Sequence, residues 1–379
     1  MKILLNCSTL IKGGALQVAA SVLEDAIKDT EITWYFAVTQ TLFSKFSELL
    51  AEPYENNRVI ILDRSPARSL EMRKQLQHTV KQQHFSAVFT LFGPAYVDFP
   101  VPHLCGIADG WVTHSNKTAY QLLNTAKDKI RTYLLCNYKL WWYKKADRWC
   151  VEAQVAKDGF LSKTKTNPDF VTVIPNAVNQ AIQKYVTVPI ERTLGESINI
   201  FCLGADYWHK NYQIIPKILT QINGKTNKKV NFIVTLPATS PVYLNLIEKA
   251  KKAQVEESII NLGPLGLDEV VHAYQKYDIL FFPSVLETFS ITPLEALYMN
   301  MPMIISNIPA NKQVMGDCAI YVDPLKSEEI AEKLIGLILN YDHEVKRLHE
   351  LKAQNYFEKF STSLKRFKTY KRILKTMVD

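Results

Sequence analysis

The chain has 379 residues, 47% of them hydrophobic and 22% charged, with 45 Lys and Arg against 37 Asp and Glu for a formal net charge of +8. This composition excludes wholesale disorder, and the length predicts two domains, each large enough to bury its own core. The charge is regional: positions 117–149 and 344–379 each carry a net +6, so the remainder sums to −4, and each basic stretch calls for a partner or a surface.

The apolar run Met1 to Cys7 is too short for a signal peptide and has no small-residue cleavage site. No stretch reaches the roughly 18 uncharged apolar residues of a membrane-spanning helix. The six cysteines, at 7, 105, 136, 150, 202 and 318, form no Cys-x-x-Cys pair and have no His at ligand spacing. A reduced, cytoplasmic chain with buried thiols is expected, without zinc site or disulfide framework.

Taken in chain order, 2–6 reads as a buried strand and 15–28 as a helix, with Leu16, Ala19, Ala20 and Leu23 on one side. Strand-like runs follow at 32–38, 59–62, 87–91, 149–152 and 171–175, separated by helical segments, and a polar stretch at 189–196 reads as a linker. The alternation then restarts. Strands are expected at 197–203, 230–236, 259–262, 279–282 and 303–306, and helices at 211–223, 243–253, 293–299 and 327–340. The β-α-β-α order predicts two doubly wound parallel-sheet halves with a cleft at the strand carboxyl ends. The domains are expected over 1–180 and 196–355, followed by a closing helical segment at 356–379.

Three motifs carry chemistry. Lys12-Gly13-Gly14 follows the first strand, where adjacent glycines let backbone approach a ligand and the next helix offers free N–H groups to an anion. An ordinary strand-to-helix turn reads equally well, and the absence of G-x-G-x-x-G and G-x-x-x-x-G-K-[ST] argues against a dinucleotide oxidoreductase and a P-loop NTPase. Ser284-Val285-Leu286-Glu287-Thr288-Phe289-Ser290-Ile291-Thr292-Pro293-Leu294-Glu295 places Glu287 on a loop at a strand's carboxyl end and Glu295 on the helix that follows. Two such carboxylates can anchor two hydroxyl-rich groups of one ligand, with the backbone N–H groups of Thr288, Phe289 and Ser290 holding an anion between them. In Leu203-Gly204-Ala205-Asp206-Tyr207-Trp208-His209-Lys210-Asn211, Lys210 can neutralise a phosphate as a point charge.

These residues resemble the retaining glycosyltransferases of family four, which have the GT-B fold of two Rossmann-like domains facing a cleft. The resemblance rests on E-x7-E at Glu287 and Glu295, Ile174-Pro175-Asn176-Ala177-Val178, His209-Lys210-Asn211 and Val322-Asp323-Pro324. It covers 173 to about 339, and a final helix at 356–377 is similar to the family's closing helix, which crosses back to the first domain. The resemblance implies that Glu287 contacts the donor sugar, with the Thr288, Phe289 and Ser290 amides against sugar and phosphate. Glu295 would bind the ribose hydroxyls, and Lys210 with the Gly13 and Gly14 amides the diphosphate. The base would sit at Gly263, Pro264 and Leu265. No Asp-x-Asp is present, so no metal and no cofactor is expected, and catalysis would stabilise a departing nucleoside diphosphate electrostatically.

Two features depart from the family. An Arg usually precedes the Lys by a few residues, whereas Ala205 and Asp206 follow Gly204 here. The first domain usually offers a His near the sugar. Here His103, Asp109 and His114 are available, and Asp109, beside a glycine at the end of an apolar run, is the preferred catalytic candidate, with His103 read as structural. The segment 129–149 interleaves Tyr133, Tyr138, Trp141, Trp142 and Tyr143 with lysines. Two readings stay open for it: a face for an anionic membrane surface, or Leu134, Leu135, Leu140 and Trp141 in the core with the lysines solvated. No nucleic-acid motif accompanies the charge.

The expected partners are therefore a nucleotide-sugar donor and a glycan or lipid-linked acceptor, in a cytoplasmic enzyme peripheral to the membrane that builds surface polysaccharide or glycolipid. A sugar-nucleotide epimerase of the same fold and a non-catalytic sugar-nucleotide-binding protein are the alternatives.

Overall fold

The structure, a computed structural model, describes all residues except 11–13, 187–189, 355 and 379. It divides into two compact units, one of 1–114, 129–177 and 360–379 and the other of 115–128 and 178–359.

The first unit holds a seven-stranded sheet of β1 (Lys2–Asn6), β2 (Thr33–Thr39), β3 (Val59–Leu62), β4 (Ala87–Thr90), β5 (His103–Ile107), β6 (Arg148–Val151) and β7 (Val171–Val173), in the order β3-β2-β1-β4-β5-β6-β7. All of its pairings are parallel. Its central strands β4 and β5 are buried throughout, and β5, which opens on His103, is not among the strands expected from the sequence. The closing helix, Ser363–Val378, packs on this unit. Phe367 and Tyr370 place their rings 5.6 Å from Trp34 and 4.7 Å from Phe89. The buried guanidinium of Arg366 donates to Asn176 Oδ1 and Ser21 Oγ, and Lys371 and Lys375 pair with Glu31 at 3.0 and 2.6 Å. Part of the basic charge at 344–379 is thus matched within the unit.

The second unit holds a six-stranded parallel sheet of β8 (Ser197–Cys202), β9 (Lys229–Val234), β10 (Ile259–Asn261), β11 (Ile279–Phe282), β12 (Met303–Ser306) and β13 (Ile320–Val322), in the order β10-β9-β8-β11-β12-β13. The linker contributes a structural residue. Buried Arg192 donates to the carbonyls of Tyr274, Tyr277 and Met299, groups left without partners at the ends of the helices Leu267–Lys276 and Ile291–Tyr298.

Several boundaries differ from expectation. The segment at 129–149 is a helix over Ala126–Tyr143 only, because Trp149 already pairs in β6 and its indole N–H donates to Tyr143 O at 2.8 Å. The helix expected from 211 begins at Ile215, since Asn211 adopts φ 58° and two short 3-10 turns intervene. The closing segment is a 3-10 turn at Tyr356–Lys359 and then the helix from Ser363. Residues 115–128 group with the second unit, where Asn116 donates to Val285 O at 2.9 Å and caps its own short helix through Ala119 N.

Candidate functional site

In the second sheet the strand order reverses between β8 and β11, which lie side by side. Doubly wound folds bind their ligands outside the strand carboxyl ends at such a point. The two loops here are 203–211 and 283–290, the two that carry Lys210 and Glu287. They are bonded to each other: Val285 N donates to His209 O at 2.8 Å, and Lys210 Nζ meets Glu287 Oε1 at 2.6 Å. Both side chains are mostly buried, so the pair is weakly screened. The Lys210 ammonium also lies 4.7 Å from the Phe282 ring centroid, and its stem runs over Gly204, where a Cβ would stand 2.6 Å from Tyr212 Oη and 3.6 Å from Lys210 Cε. The glycine leaves room for the Tyr212 hydroxyl, and the lysine stem would only touch a Cβ there.

Asn211 adds a second tie, its Nδ2 donating to Pro324 O at 2.7 Å and so joining His209-Lys210-Asn211 to Val322-Asp323-Pro324. Thr288 and Ser290 are buried. Ser290 opens the helix Ile291–Tyr298 without capping it, because its hydroxyl turns to Asn311 Oδ1, and Asn311 Nδ2 donates to Ser306 O at 2.8 Å. Asn311, 21 residues beyond Ser290, was not a sequence candidate, and no spacing signals it.

Glu295 stands apart from the lysine. It is 3% exposed, and the Tyr274 hydroxyl lies 2.9 Å from its Oε2 and 3.1 Å from Thr292 O. Burial raises its pKa to about 7, and the Tyr274 hydrogen bond works in the opposite direction. Gly263, with φ +74°, opens the loop after β10, and its N–H donates to Asn261 Oδ1 at 3.1 Å. Leu265 is half-buried in the same loop, two strands or about 10 Å from β8. Val285 also lines a cavity of about 330 Å³, whose wall mixes the polar Asn116, Asn307 and Asp323 with the apolar Ile308 and Leu325.

In the first unit Gly14 begins the helix Gly14–Ile27, and a Cβ there would meet nothing within 4 Å, while Gly13 lies outside the described residues. Asp109 Oδ2 pairs with Lys139 Nζ at 2.7 Å. Burial opposes the Lys139 charge, but Asp109 outweighs it and holds the lysine's pKa above its usual value. Asp109 also caps the short helix Gly110–His114, its backbone oxygen accepting from Val112 and Thr113 N–H. Lys139, expected among the solvated lysines, therefore turns inward. His103 is buried in β5, with Nε2 2.8 Å from Thr90 Oγ1 and the Phe99 ring packed edge-on, and burial pushes its pKa down to about 3.

Among the described residues no three His, Cys, Asp or Glu side chains are grouped to hold a metal ion, and no helix is long and apolar enough to cross a membrane.

Residues 190–356 match the family described as Glycosyl transferases group 1. The O-antigen chain mannosyltransferase RfbU of Salmonella typhimurium is 29% identical over 176 residues, 44% of this chain and 44% of that protein. The gpi3 subunit of the Schizosaccharomyces pombe phosphatidylinositol N-acetylglucosaminyltransferase is 21% identical over 210 residues, 55% of this chain and 44% of that protein. The chain thus spans less than half the length of these curated relatives. A solved glycosyltransferase from Rickettsia africae superposes with a TM-score of 0.75 at 14% identity, covering 100% of this chain and 98% of that one. Anabaena HepE in complex with UDP superposes at 0.71 and 11% identity, covering 99% and 100%. At these identities the likeness is one of fold, and the fold is GT-B.

Proposed function

We propose that the chain, whose residues 190–356 match the group 1 glycosyl transferases, is a retaining, metal-independent glycosyltransferase. It moves a sugar from a nucleotide-diphosphate sugar to a glycan or lipid-linked acceptor in surface polysaccharide or glycolipid synthesis. The observation that carries this reading is the Lys210–Glu287 pair at the point where the second sheet reverses its order. An ammonium has three N–H donors, enough to keep Glu287 and bind a phosphate oxygen together, and a carboxylate accepts at two oxygens, enough for the lysine and a sugar hydroxyl. One pair can therefore set the sugar's position and stabilise the charge that develops on the leaving diphosphate.

The Thr288, Phe289 and Ser290 backbone adds N–H donors on the same loop, and the Ser290–Asn311–Ser306 chain holds that loop to β12. Ionised Glu295 accepts from the ribose hydroxyls, and the base rests on the Gly263–Leu265 loop. The matched mannosyl- and N-acetylglucosaminyltransferases and the UDP-bound neighbour support a donor of this class. Asp109, held by Lys139, is the acceptor-side candidate of the first unit.

The test supplies the purified chain with UDP- and GDP-linked hexoses, with and without oligosaccharide or lipid-linked acceptors. Nucleoside diphosphate release that depends on acceptor and falls steeply in Lys210→Ala and Glu287→Ala is the expected result. Wild-type turnover by both variants would overturn the site. Isomerisation of the donor sugar without acceptor would assign an epimerase, and donor binding with no turnover a non-catalytic protein.

A further inference from the structure

The helix Ala126–Tyr143 presents an exposed apolar face. Ile130, Leu134, Tyr138 and Trp141, spaced four, four and three residues apart and so on one side, are 63, 62, 42 and 53% exposed. Tyr133 and Leu135 flank them and are also exposed. Among the described residues no other helix carries more than two exposed large apolar side chains. The opposite side is firmly held. Tyr143 is buried and donates to Gly93 O at 2.6 Å, Lys139 pairs with Asp109, and Trp142 packs against Tyr96 beside the Arg73 guanidinium. The outward stripe is thus fixed in place.

Charge identifies its occupant. No Asp or Glu occurs from 129 to 145, whereas Lys129, Arg131 and Lys144 are exposed at the margins of the stripe. Tyr and Trp with cations at the rim of an aliphatic strip suit the boundary between headgroups and acyl chains, where the rings stay amphipathic and the cations meet phosphate. We propose that this face seats the chain on an anionic lipid bilayer. The inference deepens the acceptor side of the proposed function, since a lipid-linked acceptor lies in such a surface, but it stands on the exposed helix and not on the donor site.

The test is sedimentation of the full chain with phosphatidylcholine vesicles that contain or lack phosphatidylglycerol. The chain is expected to pellet with the anionic vesicles only, and less so at high salt. Arg131→Glu with Lys144→Glu should weaken binding by about 20-fold or more, at about fivefold per neutralised cation. Leu134→Ser with Trp141→Ser should weaken it at any salt concentration, while Leu244→Ser, an exposed leucine of the second unit, should leave it unchanged. Wild-type binding by both double variants, or no binding by the wild type, would overturn the proposal. So would a dimer that dissociates on Leu134→Ser with Trp141→Ser, which would give the face to a second copy. Transfer to a water-soluble acceptor should persist in all these variants. A failed donor site would abolish that transfer and leave vesicle binding intact, so the two failures are distinguishable.

Discussion

The Lys210–Glu287 pair of the second unit and the Lys139–Asp109 pair of the first each bring a mostly buried lysine to a carboxylate, yet they differ in kind. Lys210 and Glu287 come from two loops that leave adjacent strands at the reversal of the sheet, and main-chain hydrogen bonds tie those loops together. Asp109 and Lys139 join the start of one short helix to a long one, by an ion pair with no main-chain hydrogen bond between the two among the described residues. Under the proposed function the first arrangement points charge at the leaving diphosphate, and the second holds the acceptor-side candidate against a long helix. The same ion pair thus joins two loops in one unit and two helices in the other.

The largest expected effect separates the two directly. Lys210→Ala should lower kcat on the order of 10²–10³-fold, the usual loss for one group that stabilises a developing anion. Asp109→Asn should leave the donor KM unchanged. Steady-state kinetics at saturating acceptor decide this, and an Asp109→Asn loss confined to the donor KM would break the contrast. Next comes Gly204→Ala, whose Cβ would stand 2.6 Å from the buried Tyr212 hydroxyl, at a cost of about 1–3 kcal/mol in denaturant unfolding.

Smaller, and in pH rather than rate, is the behaviour of Glu295. With its pKa near 7 the carboxylate that accepts ribose hydroxyls forms as pH rises, so donor KM should fall through about pH 7 and level off above it. Tyr274→Phe, removing about 1 kcal/mol of hydrogen bond to the charged form, should move that limb up by about one pH unit, and Glu295→Gln should flatten it. Stability takes the opposite slope. Between the ordinary glutamate value near 4.5 and about 7 the native chain keeps a proton that the unfolded chain releases, so this group's contribution to stability declines as pH rises through that window. The smallest effect belongs to Gly14→Ala. A Cβ there meets nothing within 4 Å, so the unfolding midpoint should hold or rise slightly, and any rise in donor KM would report a ligand's approach.

Much of the second unit's site was legible because its parts are local. A strand, a loop with Glu287 and a helix with Glu295 occur within twenty residues, from Ile279 to Tyr298, and their periodicities alone place them. The partners were not legible. Tyr274 lies 21 residues before Glu295, Asn311 21 residues after Ser290, and Glu287 77 residues after Lys210, and no pattern of hydrophobicity encodes those separations. In the first unit the Asp109–Lys139 pair, 30 residues apart, escaped for the same reason, and the short strand β5 escaped because His103 and Gly106 interrupt its apolar pattern.

By itself, the sequence determined the alternation of buried strands and helices, the restart after the linker and the positions of the chemical motifs, because each is written in spacing along a few turns or one strand. Only the tertiary structure decided which carboxylate meets the lysine, that Glu295 is buried against Tyr274, and that residues 115–128 belong with the second unit. It decided the helix Ala126–Tyr143 too. Amphipathic spacing is identical whether the apolar stripe faces a core or the outside, and only packing, with Tyr143 and Lys139 turned inward, left Leu134 and Trp141 exposed.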